Sequence, residues 1–209
     1  MIAILLNDAS FEQDIRELLM AFYPGETFTH KEEEAGEADL IVRGVRDGNS
    51  FSLDVTPVKK DAVHFALIYP DFSNRFETKN EIKQTLYRLL SAQTSRELPW
   101  GTLTGIRPTK IALTKLYDGW TDEQIETYMR ETYFTSKEKI DLSIDVAERE
   151  RRLLSTIDYE NGYSLYVGIP FCPTTCLYFS FTSFPIKSWE KRMEEYLSAL
   201  FKEMDYAAR

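Results

Sequence analysis

The apolar residues of this 209-residue chain change their period along its length, and that change dictates which layers can form. Residues 1–6 are almost wholly apolar and read as a short buried strand. Phe11, Ile15, Leu18, Leu19 and Phe22 then fall on one helical face. Ser10 with Gln13 offers a capping box at its start, and Pro24-Gly25 a stop. Residues 40–45 and 51–55 return to strand character around Asp47-Gly48-Asn49, a hairpin turn, and residues 63–69 supply a third strand of the same sheet. The period is helical again over 77–94, with Ile82, Leu86, Leu89 and Leu90 as the buried stripe. Residues 31–39 are nearly all charged and read as a solvated loop.

The segment from Leu98 to Lys110 holds Pro99, Gly101, Gly105 and Pro108, which forbid a regular element, and Pro108 suits the first turn of a following helix. Thr121 with Gln124, and Thr135 with Glu138, are two further capping boxes, the second opening a helix that runs to about Leu154. Turn chemistry over 158–162 precedes a strict alternation of Tyr163, Leu165, Val167 and Ile169, read as a strand that Pro170 ends. A last helix places Trp189, Met193, Tyr196, Leu197, Leu200, Phe201 and Met204 on one face. The pattern divides the chain into an N-terminal α/β domain with a helical second half, residues 1–160, and a short second domain, 161–209.

A formal net charge of -9 argues against nucleic acid or an anionic membrane surface as partner, since both select basic faces. The apolar runs are far short of a membrane span, and no basic-plus-apolar signal opens the chain. A cytoplasmic location is the expectation, with the two cysteines held as thiols or metal ligands.

Those cysteines lie in Tyr166-Val167-Gly168-Ile169-Pro170-Phe171-Cys172-Pro173-Thr174-Thr175-Cys176-Leu177-Tyr178-Phe179. The spacing resembles the radical S-adenosylmethionine (SAM) signature: cysteine, three residues, cysteine, two residues, cysteine. The Ile-Pro-Phe-Cys lead and the Cys-Leu-Tyr continuation are similar to those of the oxygen-independent coproporphyrinogen III oxidases (coproporphyrinogen dehydrogenases). Residues 101–110, Gly-Thr-Leu-Thr-Gly-Ile-Arg-Pro-Thr-Lys, look like a segment ahead of the SAM domain in one branch of that group.

The resemblance implies an α/β fold: an α+β N-terminal domain followed by the first strand-loop-helix unit of a TIM-like partial barrel. It implies an oxidoreductase of porphyrin and heme biosynthesis that converts propionate to vinyl by oxidative decarboxylation. Its cofactors would be a four-iron four-sulfur cluster and SAM, its substrate a small-molecule porphyrinogen. By the same resemblance Cys172 and Cys176 are metal ligands, Tyr178 shapes the SAM adenine pocket, and Tyr166 faces substrate or SAM.

Three thiolates hold three corners of such a cubane and leave the fourth iron open. Here Phe179 stands at the third position, and the chain has only two cysteines. The unit after residue 160 is also too short to repeat the strand-helix pattern of a barrel. The expectation is a chain that is inactive as it stands, with a cluster not stably held and a marginal second domain. Two other readings stay open: a degenerate relative acting as an interaction module, and a heme-binding relative. A zinc site would need two ligands beyond the cysteines. His30 and His64 read as solvated or packed residues, and Arg107-Pro108-Thr109-Lys110 as a rigid helix start, with anion binding at that N-terminus the alternative.

Overall fold

The computed structural model describes residues 1–58, 63–158, 161–173 and 184–208, and it divides at Ile157/Asp158 into two units. In the first, β1 (Ile2–Leu6), α1 (Glu12–Phe22), β2 (Phe28–Thr29), β3 (Leu40–Asp47), β4 (Ser50–Pro57), β5 (His64–Ile68) and α2 (Arg75–Thr94) follow one another. The sheet order is β2-β1-β3-β4-β5; β1 runs parallel to β2 and β3, and β3-β4-β5 form an antiparallel meander. The chain is of mixed α/β class.

Period 2 explains the layering. Ile2 and Ile4 of β1, Val42 of β3 and Phe51, Leu53 and Val55 of β4 point to one face, where Ile15, Leu18, Leu19 and Phe22 of α1 meet Ile82, Leu86 and Leu90 of α2. Each fully buried side chain of this size contributes about 1.5–3 kcal/mol relative to exposure. The β3–β4 turn places Gly48 at φ 56°, a conformation open to glycine at little cost.

Two local expectations change here. Ser10 does not cap α1: the Asp8 carboxylate accepts from the Ser10 amide and caps a 3-10 turn, Ala9–Phe11, so α1 begins only at Glu12. With the turn starting at Ala9, Ser10 lies inside it and not at a cap position. Residues 31–39 are more than a solvated loop, because Glu32–Glu37 form a 3-10 helix. Its glutamates face water, while the small side chains of Ala35 and Ala38 pack against Ala3 on the sheet face opposite the main core.

The helical half follows: α3 (Thr109–Tyr117), α4 (Asp122–Tyr133) and α5 (Lys137–Leu154). They share a second core of Ala112, Leu116, Ile125, Met129, Ile140 and Ile144. Thr121 and Gln124 form the full reciprocal capping box at α4. At α5 the cap is Ser136, whose hydroxyl accepts from Lys139 N–H, in place of the expected Thr135. The Thr135 side chain is turned inward and buried.

In the second unit residues 162–170 are irregular rather than a strand, and Tyr163, Leu165, Val167 and Ile169 are all exposed. Alternation makes a strand only where a neighbour completes the ladder, and isolated extended backbone stays solvated. Pairing is confined to β6 (Phe171–Cys172) and β7 (Phe184–Pro185), which are parallel. A short helix α6 (Ile186–Trp189), a 3-10 turn and α7 (Met193–Ala207) follow. No residue of α7 is buried. None of the described helices is long and apolar enough to cross a membrane.

Candidate functional site

Cys172 sits in β6 as a half-buried free thiol, with Phe171 paired to Phe184 and Cys172 to Pro185. Cys176, Tyr178 and Phe179 lie outside the described residues. Beside β6 an open cleft of about 290 Å³ is walled by Pro170, Phe171, Phe184, Trp189, Arg192 and Tyr196.

Its walls are held by ring contacts. Phe171 meets Tyr196 edge-on at 5.1 Å and Phe184 lies 5.0 Å from Trp189. The Tyr196 hydroxyl donates to the Gly168 carbonyl, which ties α7 to the approach to β6. Arg192 lies over the Trp189 ring at 5.3 Å and pairs with Glu195 at 2.9 Å. The hydrogen bond from Arg192 holds the exposed Glu195 carboxyl below the usual carboxylate range. The face beside the thiol is therefore aromatic, with one paired cation at its rim. Trp189 and Tyr196 stand in the helical stripe of the sequence, whereas Phe184 and Arg192 carry no signal there, because their role comes from the β6–β7 pairing and the turn after α6.

Tyr166 is 90% exposed, outside this cleft, with its ring against Gly168. Arg107 pairs with Glu150, and the Lys110 and Ile111 amides bond back to Arg107 and Pro108. This is a rigid helix start with its guanidinium already engaged. His30 bridges the Ile4 carbonyl at 3.3 Å and Glu12 at 3.4 Å; His64 is half-buried on β5. Among the described residues no three His, Cys, Asp or Glu side chains converge as a metal site.

The donor set can be tested against a cluster held at three corners. Cys172 and Cys176 would supply at most two thiolates, and the phenyl ring of Phe179 has no lone pair for iron. The residues present do not fit that group.

The chain matches no family model and no solved structure. It is similar to the oxygen-independent coproporphyrinogen-III oxidase-like protein HemZ of Bacillus subtilis (strain 168), with 34% identity over 145 residues. The match covers 68% of this chain and 29% of the relative, so it spans less than a third of that protein's length. The unit from Asp158 onward is too small to contain such a stretch, and most of the match falls in the first unit.

Proposed function

We propose that this chain is a member of the oxygen-independent coproporphyrinogen III oxidase-like group, carrying the region that precedes and opens its radical SAM domain. The observation that carries the reading is the extent of the likeness to HemZ. At 145 residues it is longer than the second unit, so most of it lies in the α/β unit and not in the cysteine loop. The Ile-Pro-Phe-Cys lead into Cys172 supports the same reading. Membership brings with it a porphyrinogen substrate, SAM and an iron–sulfur cluster as the group's reactants and cofactors. Cys172 and Cys176 are the two ligand positions this chain retains, and Tyr178 is the residue assigned to the adenine side.

The missing third thiolate favours a second reading for the chain by itself, that of a non-catalytic relative whose α/β unit serves as a folding or interaction module. Phe179→Cys separates the two. The variant and the parent are reconstituted anaerobically with iron and sulfide, and bound iron and 5′-deoxyadenosine formed from SAM are counted. If Phe179 alone blocks the site, the variant gains both iron and SAM cleavage. A variant that binds no more iron than the parent rejects the assignment of residues 172–179 as a cluster loop.

A further inference from the structure

We propose that β5 is a pairing edge at which two copies of this chain join, their β5 strands antiparallel about Ala66 and their sheets continuous. β5 is the last strand in the order β2-β1-β3-β4-β5 and pairs with β4 alone. Among the described residues no other backbone group bonds to it.

The two edges of the sheet differ. β2 has only two residues, and the Arg16 guanidinium lies over its Phe28 ring at 5.6 Å. A short strand with a charge across it is a blunted edge. β5 runs five residues in unbroken register with β4, and residues 63–69 include no lysine, arginine, carboxylate, glycine or proline. Such an edge offers a row of free N–H and C=O groups to an incoming strand.

The side chains favour a copy of the same strand as that partner. Leu53 and Val55 of β4 face the main core, so Ser52 and Asp54 face away from it, and Leu67 and Phe65 lie opposite those two. Val63 and Tyr69 continue the period at either end. Val63 is 62% exposed, Phe65 59%, Leu67 47% and Tyr69 71%. With a two-fold axis at Ala66, Phe65 stands opposite Leu67 of the second copy, and Val63 opposite Tyr69 of the second copy. Every apolar side chain on this face then meets another, and the smallest residue sits on the axis.

Area sets the strength of the pair. With about 150–250 Å² for each ring and somewhat less for each aliphatic group, the four side chains leave roughly 450 Å² per copy open to water. Two copies could bury at most about 900 Å² of it, just under the roughly 1,000 Å² that a lasting interface needs. A net charge of -9 on each copy opposes association further. The dimer is therefore reversible and forms only at high concentration.

Sedimentation velocity of the full chain, from about 1 μM to about 1 mM, should show monomer passing to dimer with a dissociation constant on the order of 100 μM. Over the same range amide exchange should slow at alternate residues of 64–68, whose N–H groups point away from β4, and not in β1. Phe65→Lys and Leu67→Lys each set two added charges against apolar neighbours beside the axis and raise the dissociation constant at least about tenfold. Val45→Lys lies on the same sheet face but on β3, two strands from the edge, and leaves it within about twofold. Sheets stacked face to face would instead lose affinity in Val45→Lys. Circular dichroism checks each fold, and if one β5 variant does not fold the other is read alone. A monomer at every concentration would assign the edge to another partner and overturn the proposal. So would a dimer that the β5 variants leave unchanged or that Val45→Lys weakens as much as they do.

Discussion

Gly101→Ala should destabilise the first unit by about 3–4 kcal/mol, and the structure shows where that sum comes from. Gly101 has φ 56°, so any other residue there incurs about 1–2 kcal/mol of left-handed strain. An added Cβ would stand 1.9 Å from the Tyr133 carbonyl oxygen and 2.6 Å from the Phe134 carbonyl carbon, both backbone atoms. The turn must move away, and with it go the bonds Thr102 N–H to Tyr133 O and Ser136 N–H to Pro99 O, about 1 kcal/mol each. Four residues on lies Gly105, in the same glycine- and threonine-rich segment, with nothing within 4 Å of its Cβ position. Gly105→Ala should fall between no change and a gain of about 1 kcal/mol from a stiffer unfolded chain. Urea unfolding of the full chain, followed by far-UV circular dichroism, compares the two variants with the parent. A domain of this kind has about 5–15 kcal/mol in hand, so the Gly101 effect is large. Equal midpoints for Gly101→Ala and Gly105→Ala would refute the reasoning.

Lys83 is buried in α2, donates to Thr104 at 3.0 Å, and burial pushes its ammonium below the ordinary lysine range. The unfolded chain then holds that proton to higher pH than the folded one, so stability rises with pH between the lowered folded value and the ordinary one near 10.5. Subtracting the pH–stability curve of Lys83→Met from that of the parent should isolate this rise, and a flat difference would remove the premise. Limited proteolysis should cut the second unit, where α7 buries no residue, well before the first. Mass spectrometry should find a persistent fragment close to residues 1–157. Equal resistance beyond residue 165 would show that the second unit is as firmly packed as the first.

Much of the first unit is legible in the sequence because its signals are local. Residues 51–55 alternate, Phe11 to Phe22 repeat at helical spacing, and Thr121 with Gln124 cap α4 as their spacing requires. Where two capping residues compete, spacing alone does not choose between them: Asp8 outreaches Ser10, and Ser136 displaces Thr135. The alternation at Tyr163 to Ile169 misleads for another reason, since a strand depends on a partner elsewhere in the chain and residues 162–170 are irregular. Of the two cysteines whose spacing stands out in the sequence, only Cys172 falls among the described residues, as a free thiol.

The central claim is that the group's loop persists here with one thiolate too few. Anaerobic reconstitution of the unaltered chain, with iron and acid-labile sulfide counted per chain after desalting, tests it most directly. The account predicts iron well short of four per chain, lost on desalting, and no deoxyadenosine from SAM. A four-iron cluster that survives desalting and cleaves SAM would contradict it.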